Sequence, residues 1–248
     1  MSEHNKNHTI WAIVPAAGIG KRMQSTLPKQ YLLLNEIPIL AHTVNRLLAF
    51  DCITGLVIAL QPDDLIWDSL NIDKRKPVIR VAGGRERCDS VLNALRGLTG
   101  QAGFNPDTDW VMVHDAVRPC LRAQDISRLI TEVKTDDGGL LALPVRDTMK
   151  RQQVKQTESS CSRVATTVDR EGLWHALTPQ YFPWKQLKQS LDTAILHGYA
   201  VTDESSAMEQ AGYSPRLVCG HEDNIKITRP DDLELAGLYL SHITERSR

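Results

Sequence analysis

Short apolar runs alternate with amphipathic stretches along most of this chain, and no other feature restricts its fold so strongly. The apolar runs predict strands, and apolar residues at helical spacing predict the helices between them. Strands that alternate with helices are typical of a parallel sheet that is covered by helices on both faces. The sequence therefore predicts an α/β, Rossmann-like fold with a mostly parallel sheet.

The predicted elements follow one another closely, with no internal repeat and no linker that would separate two domains. Strands are predicted at residues 9–14, 55–60, 77–81, 110–114, 139–145 and 217–219. The strand at 110–114 is apolar on both faces, which favours a central position in the sheet. The predicted helices carry the apolar sets Ile37, Leu40, Val44, Leu47 and Leu48; Val91, Leu92, Leu95 and Leu98; Ile126, Leu129, Ile130 and Val133; and Trp184, Leu187, Leu191 and Ile195. A last helix is predicted to begin near Pro230, with two acidic residues in its first turn.

The polar stretch at residues 147–170 interrupts this rhythm, because it has no apolar face to bury. It is either a surface loop or an arm that packs against something other than its own core. Long loops without structure are uncommon inside compact domains, which favours the arm. We therefore predict one domain over residues 1–248, with an arm that protrudes at about 147–170.

Composition excludes several classes of partner. The formal net charge is −1, so no overall basic field attracts nucleic acid or an anionic membrane. The five cysteines are odd in number and never spaced as Cys-x-x-Cys, which argues against a disulfide framework and a zinc site. The start of the chain is polar, and no apolar run is long enough for a membrane span. We predict a soluble, cytoplasmic protein that holds any phosphate ligand by local features.

The strongest motif is a loop of small residues directly after the first strand, Pro15-Ala16-Ala17-Gly18-Ile19-Gly20-Lys21-Arg22-Met23, followed by Pro28-Lys29-Gln30. Small residues let the backbone approach a ligand, and successive N–H groups form an anion-binding concavity. Met23 stands where a dinucleotide loop needs a third glycine, and Arg22 stands where a Walker A loop needs Ser or Thr. The cations Arg22 and Lys29 suit a reaction in which charge grows on a phosphorus. The structural alternative is an ordinary tight turn between a strand and a helix.

Two further motifs follow predicted strands. His114-Asp115-Ala116-Val117-Arg118-Pro119 lies at the carboxyl end of the central strand, where ligands bind in open α/β sheets. Asp115 is a candidate ligand for Mg²⁺, or else the cap of a turn; His114 is interpreted as structural. Gly83-Gly84, with Ser90 on the next helix, could contact a flat ring, or could simply form a turn and a helix cap.

Seven motifs occur in order along the chain, within a resemblance that spans roughly residues 10–239. They are Pro15-Ala16-Ala17-Gly18-x-Gly20-x-Arg22-Met23, Pro28-Lys29-Gln30, Gly83-Gly84-x-x-Arg87-x-x-Ser90-Val91, His114-Asp115-Ala116-Val117-Arg118-Pro119, Asp147-Thr148-Met149-Lys150, Thr178-Pro179-Gln180 and Asn224-Ile225-Lys226-Ile227-Thr228. As a set they resemble the 2-C-methyl-D-erythritol 4-phosphate cytidylyltransferase family of the non-mevalonate isoprenoid pathway.

The resemblance implies roles for individual residues. CTP would lie along Ala16, Ala17, Gly18, Gly20, Gly83, Gly84 and Ser90. Arg22 and Lys29 would be catalytic and stabilise the pentavalent transition state, and Asp115 would hold Mg²⁺. Methylerythritol phosphate would be bound by Asp115, Arg118, Thr202 and Lys226. The arm would cross to a second subunit of a homodimer, so that Thr148 and Arg170 would reach the partner's site.

Alternative functions stay open at this point. A ribitol-5-phosphate cytidylyltransferase shares the front half of the motif set, although Asp147-Thr148-Met149-Lys150 and Asp169-Arg170 favour methylerythritol phosphate as the substrate. A dinucleotide-dependent oxidoreductase is disfavoured by the missing third glycine. A nucleotide sensor without catalysis would leave Arg22, Lys29 and Asp115 unexplained.

Overall fold

The computed structural model describes residues 8–18, 27–153 and 162–245. The strands in these ranges are β1 (Ile10–Pro15), β2 (Leu33–Leu34), β3 (Ile37–Pro38), β4 (Ile53–Leu60), β5 (Val78–Ala82), β6 (Trp110–Val113), β7 (Gly139–Pro144), β8 (Met149–Gln152), β9 (Val164–Val168), β10 (Trp174–Pro183) and β11 (Arg216–Cys219). The helices are α1 (Ile39–Leu48), α2 (Arg87–Leu98), α3 (Ala123–Glu132), α4 (Trp184–Leu196), α5 (Glu204–Gln210) and α6 (Asp231–Glu245). None of these helices is both long and apolar enough to cross a bilayer.

One central sheet carries the site. Its strand order is β11-β7-β10-β6-β1-β4-β5, and β10 alone is antiparallel to its neighbours in this sheet. The chain runs from β1 outward through β4 to β5 and then returns to place β6 on the other side of β1. The strand order therefore reverses between β1 and β6, and in sheets of this kind ligands bind at such a reversal.

Strand β1 is buried on both faces and feeds two separate cores. Ile10, Ala12 and Val14 pack on one face with residues from α1 and α3. Trp11 and Ile13 pack on the other face with residues from α2, α4 and α5. A fully buried aliphatic side chain contributes about 1.5–3 kcal/mol relative to an exposed one, so a strand buried on both faces is strongly held in register.

Most of the predicted elements are confirmed, and the predicted fold class is confirmed with them. Ile37 differs from the prediction, because it lies in β3 ahead of the helix and is 46% exposed. Strand β10 has no counterpart among the predicted strands. Its buried polar residues Thr178 and Gln180, with Pro179 between them, break the apolar pattern by which the other strands are recognised.

The polar stretch at 147–170 forms a ribbon in its described part. Strands β8 and β9 pair in antiparallel fashion, with Met149 opposite Val168 and Lys150 opposite Thr167. Every residue of β8 is exposed, and β9 is exposed except for the partly buried Val168. The described part of the predicted arm is therefore an exposed two-stranded ribbon, which is joined to the central sheet where β7 ends and β10 begins.

Candidate active site

The carboxyl ends of four parallel strands meet at one edge of the sheet, as predicted for the first loop and Asp115. Residues 16–18 follow β1, Gln61 follows β4, Gly83 and Gly84 follow β5, and His114 and Asp115 follow β6. A pocket of about 500 Å³ opens at this edge. It is lined by Pro15, Ala16, Ala17, Gly18, Lys29, Gln30, Gln61, Gly84, Arg85, Glu86, Arg87, Ser90, Asp115, Ala116, Val117 and Lys226.

The backbone of the small-residue loop is held by two side-chain amides. Gln30 Nε2 donates to the Ala16 carbonyl at 2.8 Å, and Gln61 Nε2 donates to the Ala17 carbonyl. The Ala16 N–H donates to Ala59 O at 2.8 Å, which prolongs the pairing of β1 with β4. Gly18 is exposed, and a Cβ added there would meet no atom within 4 Å. The loop is thus fixed in place while its open side faces the pocket.

Gly83 brings the loop after β5 against the loop after β1. A Cβ added to Gly83 would lie far inside van der Waals contact of the Ala17 Cβ. Gly84 N–H donates to Ser90 Oγ at 3.0 Å, and Ser90 Oγ donates to Glu86 O at 3.2 Å. Gly84 and Ser90 line the pocket, whereas Gly83 is not among its lining residues and instead sets the spacing of the two loops.

Lys29 begins a short 3-10 helix, Lys29–Tyr31, and lines the pocket. Its neighbour Gln30 is buried and bonded to Ala16, so the lysine is anchored to the small-residue loop through the next residue. The predicted residues Gly20 and Arg22 lie outside the described residues.

Asp115 is the centre of a buried charge cluster. Its Oδ1 is 3.2 Å from Arg87 Nε, and its Oδ2 is 3.3 Å from Arg118 Nε and 2.9 Å from Lys226 Nζ. Burial alone would raise the pKa of this carboxyl, but the charges of Arg87, Lys226 and Arg118 hold it well below its usual range. Asp115 is therefore ionised throughout the physiological range, and three cations from separate parts of the chain are held at one point.

A second buried carboxylate balances this cluster. Arg87 Nη1 and Nη2 bind Glu204 Oε1 and Oε2 at 2.6 and 3.1 Å, in the bidentate geometry that a guanidinium favours. Three cations and two carboxylates leave one net positive charge beside the pocket. Together with Lys29, this charge suits a ligand that carries several phosphate oxygens.

His114 and Thr178 support Asp115 from behind. Thr178 Oγ1 accepts the Asp115 N–H at 3.1 Å and donates to His114 Nδ1 at 3.0 Å. His114 Nε2 faces the Arg118 carbonyl at 2.9 Å, so this nitrogen carries a proton. Burial lowers the pKa of His114 to about 4, so the imidazole is neutral at physiological pH. The histidine lies in the framework of the site, which agrees with its interpretation from sequence.

Four predicted substrate-binding residues do not line the pocket of this chain. Arg118 is buried behind Asp115, and its Nη1 donates to Asn224 O at 2.6 Å. Thr202 is exposed and lies two residues before Glu204. Thr148 and Arg170 are exposed at the base of the ribbon, where the Arg170 guanidinium donates to the Arg146 carbonyl. Of the predicted substrate residues, the pocket therefore brings together Asp115 and Lys226.

The surroundings of Asp115 do not fit the predicted role of magnesium ligand. Both of its oxygens face cationic side chains, and a bound Mg²⁺ would add charge of the same sign at short range. Across residues 8–18, 27–153 and 162–245, no group of three or more His, Cys, Asp or Glu side chains could hold a metal ion. Asp115 is placed as the counter-ion of three cations.

Sequence reasoning assigned no role to Gln30, Gln61, Arg87 and Glu204. Gln30 and Arg87 stand inside the quoted motifs, so the motifs could have drawn attention to them. Gln61 had the signal of a polar residue directly after a buried strand, which is the position that faces a ligand in this fold. Glu204 had no local signal, because its partner Arg87 is 117 positions away in the chain.

This chain is similar to known proteins over nearly its full length. A family model for 2-C-methyl-D-erythritol 4-phosphate cytidylyltransferase matches residues 10–242. The protein of that name from Shewanella amazonensis is 51% identical over 241 residues, which cover 96% of each chain. The one from Aliivibrio fischeri strain MJ11 is 48% identical over 241 residues and 97% of each chain. The crystal structure of the Francisella tularensis protein of that name is 33% identical, with a TM-score of 0.76 over 93% of this chain and 99% of that one.

Gly83→Ala is expected to weaken nucleotide binding, because the added methyl group must push the loop after β5 away from Ala17. Overpacking of this kind typically costs about 1–3 kcal/mol, and if the loop must return to its present place to bind the nucleotide, this strain corresponds to about a 5- to 150-fold loss of CTP affinity by calorimetry. Gly220→Ala is the matched control, since a Cβ there meets its nearest atom at an ordinary 3.5 Å. Equal CTP affinity of the Gly83→Ala variant and the wild type would show that the spacing of the loops does not matter.

His114 makes the stability of the fold depend on pH. Its pKa is near 6.5 in an unfolded chain and about 4 when buried here, so the unfolded state binds more protons between these values. The free energy of unfolding therefore has its full value above about pH 7. It decreases as the pH falls, and the decrease that is due to His114 is about 2 kcal/mol by pH 5. We expect the unfolding free energy of His114→Gln to fall less steeply from pH 7.5 to 5 than that of wild type. Parallel curves would contradict this.

Proposed function

The chain belongs to the 2-C-methyl-D-erythritol 4-phosphate cytidylyltransferase family, and from this premise we propose how its residues divide the reaction between them. The enzyme is a nucleotidyltransferase that joins the cytidylyl group of CTP to methylerythritol phosphate and releases pyrophosphate, a step of isoprenoid precursor synthesis. One observation gives these residue roles their main support. Lys29 and Lys226, from opposite ends of the chain, face one pocket beside a loop of small residues.

In this proposal CTP lies along the loop after β1. Ala16, Ala17 and Gly18 offer backbone to its phosphates and base, and Gly20 is assigned to the same role from the sequence motif. Gly84 and Ser90 border the base, and Gly83 allows the two loops to approach. The hydroxyl of Ser90 is bonded within the loop after β5, so its main contribution is to shape that loop.

The attacking group in this proposal needs no general base. A phosphate oxygen of methylerythritol phosphate attacks the α-phosphorus of CTP, and pyrophosphate leaves on the opposite side. A phosphate monoester is already largely ionised at pH 7, because its second pKa is about 6. Catalysis then consists of positioning and charge neutralisation, for which Lys29 and Arg22 supply the cations at the reacting phosphorus.

The polyol phosphate is assigned to the side of the pocket that Asp115 and Lys226 border. Lys226 contributes a cation for the phosphate, and Asp115 holds that lysine at 2.9 Å. Arg118 steadies Asp115 from the buried side. Thr202, exposed close to Glu204, completes the set from the same chain.

Magnesium is proposed to enter with the nucleotide. Mg²⁺ keeps several water ligands and is commonly bound through substrate phosphates with few protein groups. That preference agrees with the absence of a cage of metal-ligating side chains from the described ranges. Bound to the phosphates of CTP, the ion would neutralise part of their charge.

The ribbon is proposed to be a dimerisation arm of a single-domain chain, with residues 147–170 crossing to a second copy. An isolated two-stranded ribbon is marginal in water, so strands as exposed as β8 and β9 need a surface to pack on. In a symmetric homodimer the exchanged arm brings Thr148 and Arg170 to the partner's pocket. The net charge of −1 gives no support to a nucleic-acid partner.

The substrate assignment is tested by pyrophosphate release from purified protein. We expect release from CTP only when methylerythritol phosphate and Mg²⁺ are both present. Ribitol 5-phosphate is the control substrate and should give little turnover. Turnover at full rate in excess EDTA would refute the need for the metal, and a strong preference for ribitol 5-phosphate would refute the polyol assignment.

The crossing arm is tested by mixing two inactive variants. Lys29→Ala should lower kcat by about 10²–10³-fold, as loss of a transition-state cation does, and Arg170→Ala should be nearly inactive as well. In a mixed dimer one site keeps its own Lys29 and receives an intact Arg170 from across the interface. Random pairing makes about half the dimers mixed, so co-expression should recover roughly a quarter of wild-type activity.

The control for this experiment is each variant expressed alone, which should show no recovery. If Arg170 acted within its own chain, every site of a mixed dimer would lack one of the two residues. Variants that demonstrably mix yet stay inactive would therefore disprove the crossing arm, and so would a monomer on gel filtration.

A further inference from the structure

Glu204 is a buried acid that the reaction as described above does not use. It is the first residue of α5 and is 1% exposed. A buried carboxylate is costly unless it is fully paired, and both oxygens of Glu204 are taken up by the guanidinium of Arg87.

Arg87 joins this acid to the centre of the site. Its two terminal nitrogens bind Glu204, and its Nε lies 3.2 Å from Asp115 Oδ1. A guanidinium is planar, with its donors at fixed angles. Where Glu204 holds the terminal nitrogens therefore determines where Nε meets Asp115.

Glu204 is itself held firmly by the sheet. Asp203 caps α5 by accepting the Ser206 N–H at 3.0 Å, and it also accepts Gln180 Nε2 at 2.9 Å. Gln180 Oε1 in turn accepts the Ser205 N–H at 2.7 Å. Since Gln180 lies in β10 beside β6, the start of α5 is anchored next to the strand that Asp115 follows.

The pair also connects the two halves of the pocket. Arg87 begins α2 directly after Gly84, Arg85 and Glu86, which line the pocket where the nucleotide is proposed to bind. Glu204 lies two residues after Thr202, on the side proposed for the polyol phosphate. A displacement of either helix start is therefore transmitted to Asp115.

We propose that Glu204 is a positioning residue for cytidylyl transfer, which holds the Arg87 guanidinium so that Asp115 and Lys226 keep their places for the attacking phosphate. The inference rests on the proposed function. A positioning role and a purely structural role predict different results, because only the positioning role lowers turnover by correctly folded enzyme.

Glu204→Gln keeps the size of the side chain and removes its charge. We expect kcat per folded enzyme to fall by about 10–100-fold, since a small misplacement of reacting groups is enough for such a loss. KM for methylerythritol phosphate should change by less than about threefold, because no substrate contact is removed. Glu204→Asp, which keeps the charge, should recover part of kcat.

Variants of Arg87 provide the second part of the experiment. Arg87→Gln should lower kcat by a similar factor, and the double variant should be little worse than Arg87→Gln alone, because the two residues act through one contact. Arg87→Lys keeps the charge but loses the two terminal nitrogens that bind Glu204 together. The same fall in kcat is expected from this variant. It therefore tests the inference even if Glu204→Gln does not fold.

Asp109→Asn is the control for loss of a buried acid. Asp109 is 3% exposed and bonds Thr9 and Asn105 at the amino end of β6, at the opposite edge of the sheet from the pocket. We expect a lower Tm with kcat per folded enzyme unchanged.

The outcomes separate the two ideas. Wild-type enzyme that does not turn over methylerythritol phosphate would refute the proposed function and this inference together. An active wild type with unchanged kcat in Glu204→Gln or Arg87→Lys would overturn the inference alone. Strictly additive losses in the double variant would overturn it too, because they would mean that the two residues act independently.

Discussion

The site depends on one constraint, the parallel pairing of β1 with β4 on one side and with β6 on the other. Because all three strands run in the same direction, each delivers the residues that follow it to the same edge of the sheet. Alternate residues of β1 feed two cores, so a shift of one position would move each side chain into the other core, where the neighbouring side chains are shaped for a different residue. The place of the small-residue loop relative to Asp115 is therefore fixed by packing well below the pocket.

On that frame the site is built as a balance of charge. Asp115 and Glu204 hold three cations in a small volume, and the excess of one positive charge is left for a phosphorylated ligand. The cations would repel one another without the carboxylates, and the buried carboxylates would be destabilising without the cations. Interactions of this kind position side chains for catalysis, whereas the apolar cores supply the stability that allows buried charges to be kept.

Patterns in the sequence predicted the strands and loops whose structure depends on residues that are close together in the chain. The strands β1, β4 and β6 are apolar on both faces, and the loops that follow β1 and β6 carry the strongest motifs, so the edge that forms the pocket could be located. Strand β10 escaped because Thr178 and Gln180 are polar and yet buried, with partners directly after β6 and in α5. The Arg87–Glu204 pair escaped for the same physical reason: each partner is meaningful only when the fold has brought the other beside it.

The close approach of Gly83 to Ala17 has a consequence for how such a sequence can change over time. The gap between the two loops has room for a single methyl group, which Ala17 now occupies. A Cβ at position 83 would be clear of this clash if position 17 were glycine, and its next contacts would then be Leu60 O and Ser90 Oγ at 3.3 Å. Two positions far apart in the chain therefore share one small volume, so the residue that one of them can carry depends on the residue at the other.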